Sequence, residues 1–149
     1  TSIGLWGRAN GKWYRMREYY FDSRKEGRQR TDEEHYTELE KLADGLHISA
    51  VIVDPSAASF IEVIRRHGRF RVEKASNAVI DGIRNVATRL QCGDIFICDC
   101  CADCIREFGM YRWDEKALMD KPIKENDHSM DDVRYFVHKV FAPELFSFK

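Results

Sequence analysis

A mixed β-sheet with helices on both faces is what this sequence predicts, and three observations predict it. The chain opens on a hairpin signal, Asn10-Gly11 set between alternating apolar and polar residues. Short β-branched runs then alternate with amphipathic stretches, which points to successive β and α units. The run at 48–53 is nearly continuous in apolar residues, as a strand must be when both of its faces are covered. An antiparallel hairpin or meander followed by parallel strands, flanked by helices on both faces, satisfies all three.

Each element follows in order. Residues 2–8 alternate, and 12–21 continue the period-two pattern with Trp, Tyr and Arg, enough for one bent strand or two consecutive ones. The polar run 22–30 reads as a loop. Thr31-Asp32-Glu33-Glu34 fits a capping box, with Thr31 as N-cap, and opens a helix to about Gly45. After the strand at 48–53, Pro55 suits a first helical turn, and the helix over 56–67 carries Phe60, Ile61 and Ile64 before Gly68 ends it. Residues 69–74 alternate again, with Phe70 and Val72 on one face. In the helix over 77–91, Val79, Ile80, Ile83, Val86, Ala87 and Leu90 form one stripe. A strand at 95–98 and a short helix at 100–108 precede an irregular stretch at 111–124. The last helix spans about 126–141, and Pro143 stops it.

A chain of 149 residues makes one domain and buries roughly 70% of its unfolded surface. Its hydrophobic fraction of 44% and charged fraction of 33% are those of a soluble globular protein. No apolar run approaches the ~18 residues of a membrane span, and the opening is not a signal peptide. The absence of an initiator Met, with an opening that already reads as a strand, suggests a piece of a longer protein. A net charge of -1 excludes the overall basic field of many non-specific nucleic-acid binders, although basic residues do cluster at 65–71. The five cysteines read as reduced cytosolic thiols.

Asp54 ends the strand at 48–53, and in open α/β sheets ligands sit beyond the carboxyl ends of strands. Asp-Pro-Ser is also a good helix start, so a capping role accounts for Asp54 as well as a metal or acid role does. The last helix adds to this. At about 100° per residue its core stripe is Met130, Val133, Val137, Val140 and Phe141. Asp131 and Asp127 then share one flank, His128 lies just beyond Asp131, and Asp132 points toward solvent. Favourable interaction with a helix N-terminus, ~0.3–1 kcal/mol each, explains acids in a first turn. It explains less well an Asp, a His and an Asp on one flank beside the core. Carboxylates from separate elements at a sheet edge make a hard oxygen site suited to Mg²⁺ or Mn²⁺. Two such ions ~3.5–4 Å apart can clamp the attacking and leaving oxygens of a phosphodiester. His128 could orient or deprotonate water, serve as a softer ligand or position a carboxylate.

A resemblance sharpens this. The blocks that carry it are Gly27-Arg28-Gln29-Arg30-Thr31-Asp32-Glu33-Glu34, Val53-Asp54-Pro55-Ser56-Ala57-Ala58, Asp81-Gly82-Ile83, Tyr111-Arg112-Trp113-Asp114-Glu115 and residues 121–135, which include Asn126-Asp127-His128-Ser129-Met130-Asp131-Asp132. In these the chain resembles the C-terminal nuclease domain of phage terminase large subunits, and the blocks cover nearly the whole chain in family order. The resemblance implies a ribonuclease H-like mixed sheet and a Mg²⁺- or Mn²⁺-dependent endonuclease that cuts concatemeric double-stranded DNA during packaging. It makes Asp54 the second-strand metal carboxylate, and His128 and Asp131 the His and Asp of an Asp-His-x-x-Asp motif. Asp127 is then an outer-shell partner or an extra ligand. Implied partners are DNA and, through the full-length protein, the portal and the terminase small subunit, in the bacterial cytoplasm and with no membrane involved. One departure stands out: the family's first metal Asp lies on an opening strand in an Asp-Tyr-Gly-Thr-like motif, and this chain has no acid before Glu18. The expectation is a single nuclease domain over 1–149, cut downstream of that acid, without the ATPase half and with an incomplete site. Another ribonuclease H-like nuclease, such as a resolvase or integrase core, and a non-catalytic packaging-assembly module are the alternatives.

Other features read more simply. Cys98, Cys100, Cys101 and Cys104 form a single cluster without the second separated pair usual for zinc, so small buried hydrophobes are expected. Lys121 and Lys124, just before the acidic helix, are the favoured DNA phosphate contacts, whereas Arg65, Arg66, Arg69, Arg71 and Lys74 read as a solvated face. Asp81 falls opposite its helix's apolar stripe and is expected at the surface. Trp6, Trp13, Tyr14 and Tyr19 are expected in sheet and core.

Overall fold

The structure, a computed structural model, describes residues 1–76, 78–110 and 127–141. The expectations for 111–124, Lys121, Lys124 and Pro143 lie outside these residues, as do the side chains of Val79 and Ile80 in the predicted stripe. Five strands and six helices are present among the described residues. The hairpin is β1 (Ser2–Ala9) and β2 (Lys12–Tyr20), turning through Asn10 and Gly11 at φ 54° and 77°. Two consecutive left-handed residues are what a tight type I′ turn requires. A register shift between Leu5 and Trp6 marks a bulge in β1. The predicted loop holds one short helix, α1 (Ser23–Glu26). Next comes α2 (Asp32–Ala43), whose N-cap Thr31 hydroxyl accepts the Glu34 N–H at 3.1 Å, one half of the capping box, while the Glu34 carboxylate pairs with Arg28.

Beyond α2 the strands are shorter than their apolar runs. β3 (Val51–Val53) and β4 (Val72–Lys74) pair in parallel and are separated by α3 (Ala58–His67). α4 (Val79–Gln91) leads to β5 (Ile95–Ile97), which pairs in parallel with β2. α5 (Ala102–Met110) and α6 (His128–Val140) complete the order. Pairing partners, not apolar content, set the length of a strand. Residues 48–50 therefore stay irregular, because the ladder to β4 begins only at Val51.

The five strands form two sheets, one with the order β1-β2-β5 and one of β3-β4. Among the described residues the outer edge of β1 and one edge of β3 carry no partner strand. Helices cover both faces. On one side Tyr36 and Leu39 of α2 and Ile61 and Ile64 of α3 pack on Val53 and Phe70. On the other, Val86 of α4, Cys104 of α5 and Val133, Phe136 and Val137 of α6 pack on Ile95, Trp6 and Ile52. The Trp6 indole stacks on Phe136 with ring centroids 4.0 Å apart and Trp13 meets the same ring edge-on, so these two pack from the sheet against the core as expected. Because α6 touches both β1 and β3, it bridges the two sheets.

Two expectations are corrected. Ala87 and Leu90, assigned to the apolar stripe of α4, are both exposed; of the stripe's described side chains only Val86 is buried, because only that part of the helix packs on the core around Ile95. Asp132, expected in solvent, instead faces the sheet. It pairs with the guanidinium of Arg15, a β2 residue that is fully buried, and it accepts from the Ser2 hydroxyl. Arg15 Nη2 also lies 3.1 Å from the second oxygen of Asp132 and 3.3 Å from Glu18. A buried cation holds the acid down against the sheet, and helical periodicity carries no trace of that cation. Gly4 makes the room, since a Cβ there would collide with the Arg15 guanidinium.

Carboxylates from other elements also cap two helices. Glu18 of β2 accepts the Asp103 and Cys104 N–H groups at 2.8 and 3.3 Å, at the start of α5. Glu107 of α5, itself fully buried, accepts the Ser129 and Met130 N–H groups at 2.7 and 3.2 Å, at the start of α6. Such anions satisfy orphan donors and complement the positive end of the helix.

The packing makes two positions sensitive, for different reasons. At Gly82 an added Cβ would lie 2.5 Å from Arg134 Cγ, so α4 and α6 approach closely because Gly82 has no side chain. Gly82→Val should cost about 1–3 kcal/mol in urea unfolding, as overpacking does. His35, at 9% exposure, bonds the Tyr19 hydroxyl at 3.1 Å, and burial pushes its pKa below the ordinary 6.5. The unfolded chain therefore binds the proton first. The stability due to His35 is fully present above 6.5 and is lost as pH falls through the lowered value. Urea midpoints should drop in mild acid, and His35→Phe should flatten that drop.

Candidate active site

The unpartnered edges of β1 and β3 face a single groove with a volume of about 720 Å³. Ser2, Gly4 and Trp6 of β1 line one side and Val51 and Val53 the other. Asp54, His128, Asp131, Asp132 and Tyr135 line it as well. Three of the four predicted ligands thus share one cavity with Asp132, which periodicity had set aside. Asp127 is not among the lining residues; it is buried at the N-cap position of α6, where its carbonyl accepts the Asp131 N–H at 2.8 Å. Lys121 and Lys124 fall outside the described residues.

Asp54 stands directly after β3, and it does not cap α3. That helix starts only at Ala58, its N-cap is Ala57, and no side chain closes it. Instead Asp54 Oδ1 accepts the Ser56 N–H at 2.9 Å, a local Asx turn that holds the carboxylate at the end of the strand. Its other oxygen accepts the Tyr135 hydroxyl at 2.9 Å. Burial pushes the Asp54 pKa up, but the bonds from Ser56 and Tyr135 and the nearby Arg134 charge outweigh it, and the carboxyl titrates below its ordinary range. Burial, with the bond to Asp54, pushes the Tyr135 phenol up, so it stays protonated and donating.

Asp131 occupies the neighbouring turn of the same helix. Its Oδ1 accepts from Arg134 Nη2 at 3.1 Å, and Arg134 is only 4% exposed. After burial and the bond to Asp54, the charges of Asp131 and Asp54 also help to keep the Tyr135 phenol protonated. His128, at the start of α6, is exposed and sits against the Tyr20 ring with centroids 5.7 Å apart. Its place at the rim leaves the ring open to water. Among the described residues no three His, Cys, Asp or Glu side chains converge closely enough to hold a metal ion by themselves.

Of the cysteine cluster, Cys101 and Cys104 behave as small buried hydrophobes, whereas Cys98 is half-buried and Cys100 is exposed. Cys101 and Cys104 are fully buried, and burial pushes both thiols up to about 12, too high for a free thiolate nucleophile at neutral pH. Arg69 and Arg71 pair with Glu40 and Glu73, and Arg65 and Arg66 are exposed, as a solvated charged face requires. Asp81 is exposed, as expected. Sequence reasoning missed Arg134 and Tyr135 as parts of the site. The available signal was their spacing, three and four residues after Asp131, which places them one turn along the same flank.

An α/β chain that gathers carboxylates from a strand end and a helix around one groove has the makings of a hard-cation site. Comparison with known proteins then narrows the class. No protein-family model matches the chain. The large terminase of a thermophilic bacteriophage, solved in complex with ADP, is 49% identical and superposes with a TM-score of 0.90 over 94% of this chain and 36% of that one. The same phage protein in complex with ATP-gamma-S gives 50% identity and a TM-score of 0.88, over 92% of this chain and 36% of that one. The terminase large subunit of Escherichia phage T5 is 24% identical over 128 residues, 82% of this chain and 29% of that protein. The chain is a homologue of phage large terminases, and it spans about a third of the length of the relatives it matches. Among the described residues no helix is long and apolar enough to cross a membrane.

Proposed function

We propose that this chain is the nuclease part of a phage terminase large subunit, a Mg²⁺- or Mn²⁺-dependent endodeoxyribonuclease of ribonuclease H-like fold. Its substrate is concatemeric double-stranded DNA, cut during packaging in the host cytoplasm. The observation that carries this reading is that α6 presents Asp131 to the groove at the end of β3, where its Tyr135 binds Asp54. The donor set fits a hard divalent cation. Asp54 and Asp131 are oxygen ligands on different elements, and Mg²⁺ is commonly held by one or two carboxylates with waters and substrate phosphate filling the rest. When bound, the cation supplies Lewis-acid stabilisation of the phosphoryl oxygens and a more acidic water.

The chain's own residues do the rest. Asp54 and Asp131 would hold the metal, and Asp54, its pKa lowered, is ionised at neutral pH and ready to do so. His128, exposed at the rim, can accept a proton from water or orient it. Lys121 and Lys124 remain the proposed phosphate contacts, and the portal and small subunit the proposed partners of the whole protein. The two facing strand edges also support the family's pattern of a first carboxylate on a strand of its own. A strand seated between β1 and β3 would meet, on both sides, edges that carry no partner strand among the described residues, in the groove that Asp54 lines.

A nucleotide-binding role is less well supported. The ADP and ATP-gamma-S belong to phage terminase chains of which this one spans 36%, and the present sequence contains no G-x-x-x-x-G-K-[ST] loop. The test is a Mn²⁺-soaked crystal, with an ion expected between Asp54 and Asp131, together with nicking of supercoiled plasmid. Nicking should be weak in this chain and should rise when a strand bearing the first carboxylate is added. Full activity without that carboxylate would mean that the site is wrongly assigned. No metal-dependent cleavage even with the carboxylate, combined with binding to portal protein, would favour an assembly module.

A further inference from the structure

Resting on the metal-site reading above, we propose that Tyr135 is a positioning residue that locks Asp54 to α6 and so sets the spacing of the two carboxylates. Asp54 is held from two sides. From its chain neighbours the carboxylate is bound by Ser56, whose N–H binds Oδ1 at 2.9 Å, and this local Asx turn reaches no other element. No helix cap restrains it, since α3 begins four residues later. The Tyr135 hydroxyl, 81 residues away in sequence, takes the second oxygen at 2.9 Å.

The other end of this link is rigid. Tyr135 lies on a helix whose N-terminus is bound by the buried Glu107 and whose Asp132 is clamped by the buried Arg15. Asp131, one turn before Tyr135, is held in turn by Arg134, two of whose guanidinium nitrogens have no hydrogen-bond partner among the described residues. α6 thus grips one acid through Arg134 and the other through Tyr135. With a donor already on each Asp54 oxygen, the lone pairs that remain for a cation have a fixed direction. Fixing ligand oxygens in this way is the usual role of groups that hydrogen-bond to metal carboxylates, and losing one typically costs about 10–100-fold in metal affinity.

Tyr135→Phe removes the hydroxyl and keeps the ring, so packing is preserved. The experiment titrates Mn²⁺ into the chain as it stands, following free ion by electron paramagnetic resonance, for the wild type, Tyr135→Phe and Asp54→Asn. Thermal melting in the absence of metal is recorded alongside. The expected result is roughly 10–100-fold weaker Mn²⁺ binding by Tyr135→Phe with an unchanged melting temperature, and a larger loss for Asp54→Asn. Wild-type affinity in Tyr135→Phe, with binding lost in Asp54→Asn, would overturn the role of Tyr135 and leave the metal site standing. Weaker binding with a matching drop in melting temperature would make the residue structural and overturn the positioning role. No Mn²⁺ binding by the wild type would overturn the metal-site reading and this inference with it.

Discussion

Replacing Arg15 by Met is expected to cost about 3–5 kcal/mol of folding stability, the usual consequence of removing one partner from a buried charge network. Arg15 is completely buried, and its guanidinium meets Asp132 of α6, Glu18 of β2 and the Ser2 hydroxyl of β1. The Asp132 side chain is 17% exposed and that of Glu18 only 6%, and without Arg15 both poorly solvated acids lose the cation that faces them. Burial alone would disfavour the guanidinium charge, but Asp132 and Glu18 more than compensate and hold it protonated. Glu18 also caps α5, so the damage should spread to a second helix. Urea unfolding measures the effect. A double variant, Arg15→Met with Asp132→Leu, should recover part of the loss, because an apolar pair needs no desolvated charge. A loss below about 1 kcal/mol for Arg15→Met would show that the network contributes little.

Asp131→Asn is expected to weaken Mn²⁺ binding by more than about 100-fold, beyond the range seen for supporting residues. The substitution keeps the size and one acceptor for Arg134 but removes the charge that a divalent cation needs. It should also cost some stability, because Arg134 is 4% exposed and Asp131 supplies its ion pair within α6. Calorimetric titration with Mn²⁺ reads the first effect and urea unfolding the second. Asp54→Asn should match it in metal affinity with a smaller stability change, since Asp54 is held by neutral donors, the Ser56 N–H and the Tyr135 hydroxyl. Equal Mn²⁺ affinity in the wild type and Asp131→Asn would remove Asp131 from the site.

How much could be read in advance depended on how local the cause was. The hairpin turn at Asn10-Gly11, the Thr31 cap, the stop at Gly68 and the core face of α6 were all legible. Each is set by residues within a turn or two of chain. Asp54 was legible as a strand-end acid for the same reason, and Asp131 as a flank residue. Asp132 was misread because its partner lies 117 residues away in sequence, on a different element. The cap of α6 went unseen because Glu107 supplies it from α5, while the local candidate, Asp127, makes no side-chain cap. Strand lengths failed for a related reason, since a ladder ends where its partner ends.

By itself, then, the sequence determined the order of the elements, the faces they bury and the kinds of residue brought to the strand end and the last helix. Those follow from steric preference and hydrophobic period, which act over a few residues. Only the tertiary structure decided which acid is clamped by a buried arginine, which faces the groove, and that a tyrosine joins Asp54 to α6. Charge pairing and long-range hydrogen bonds depend on which elements the core brings side by side, and no local pattern encodes that.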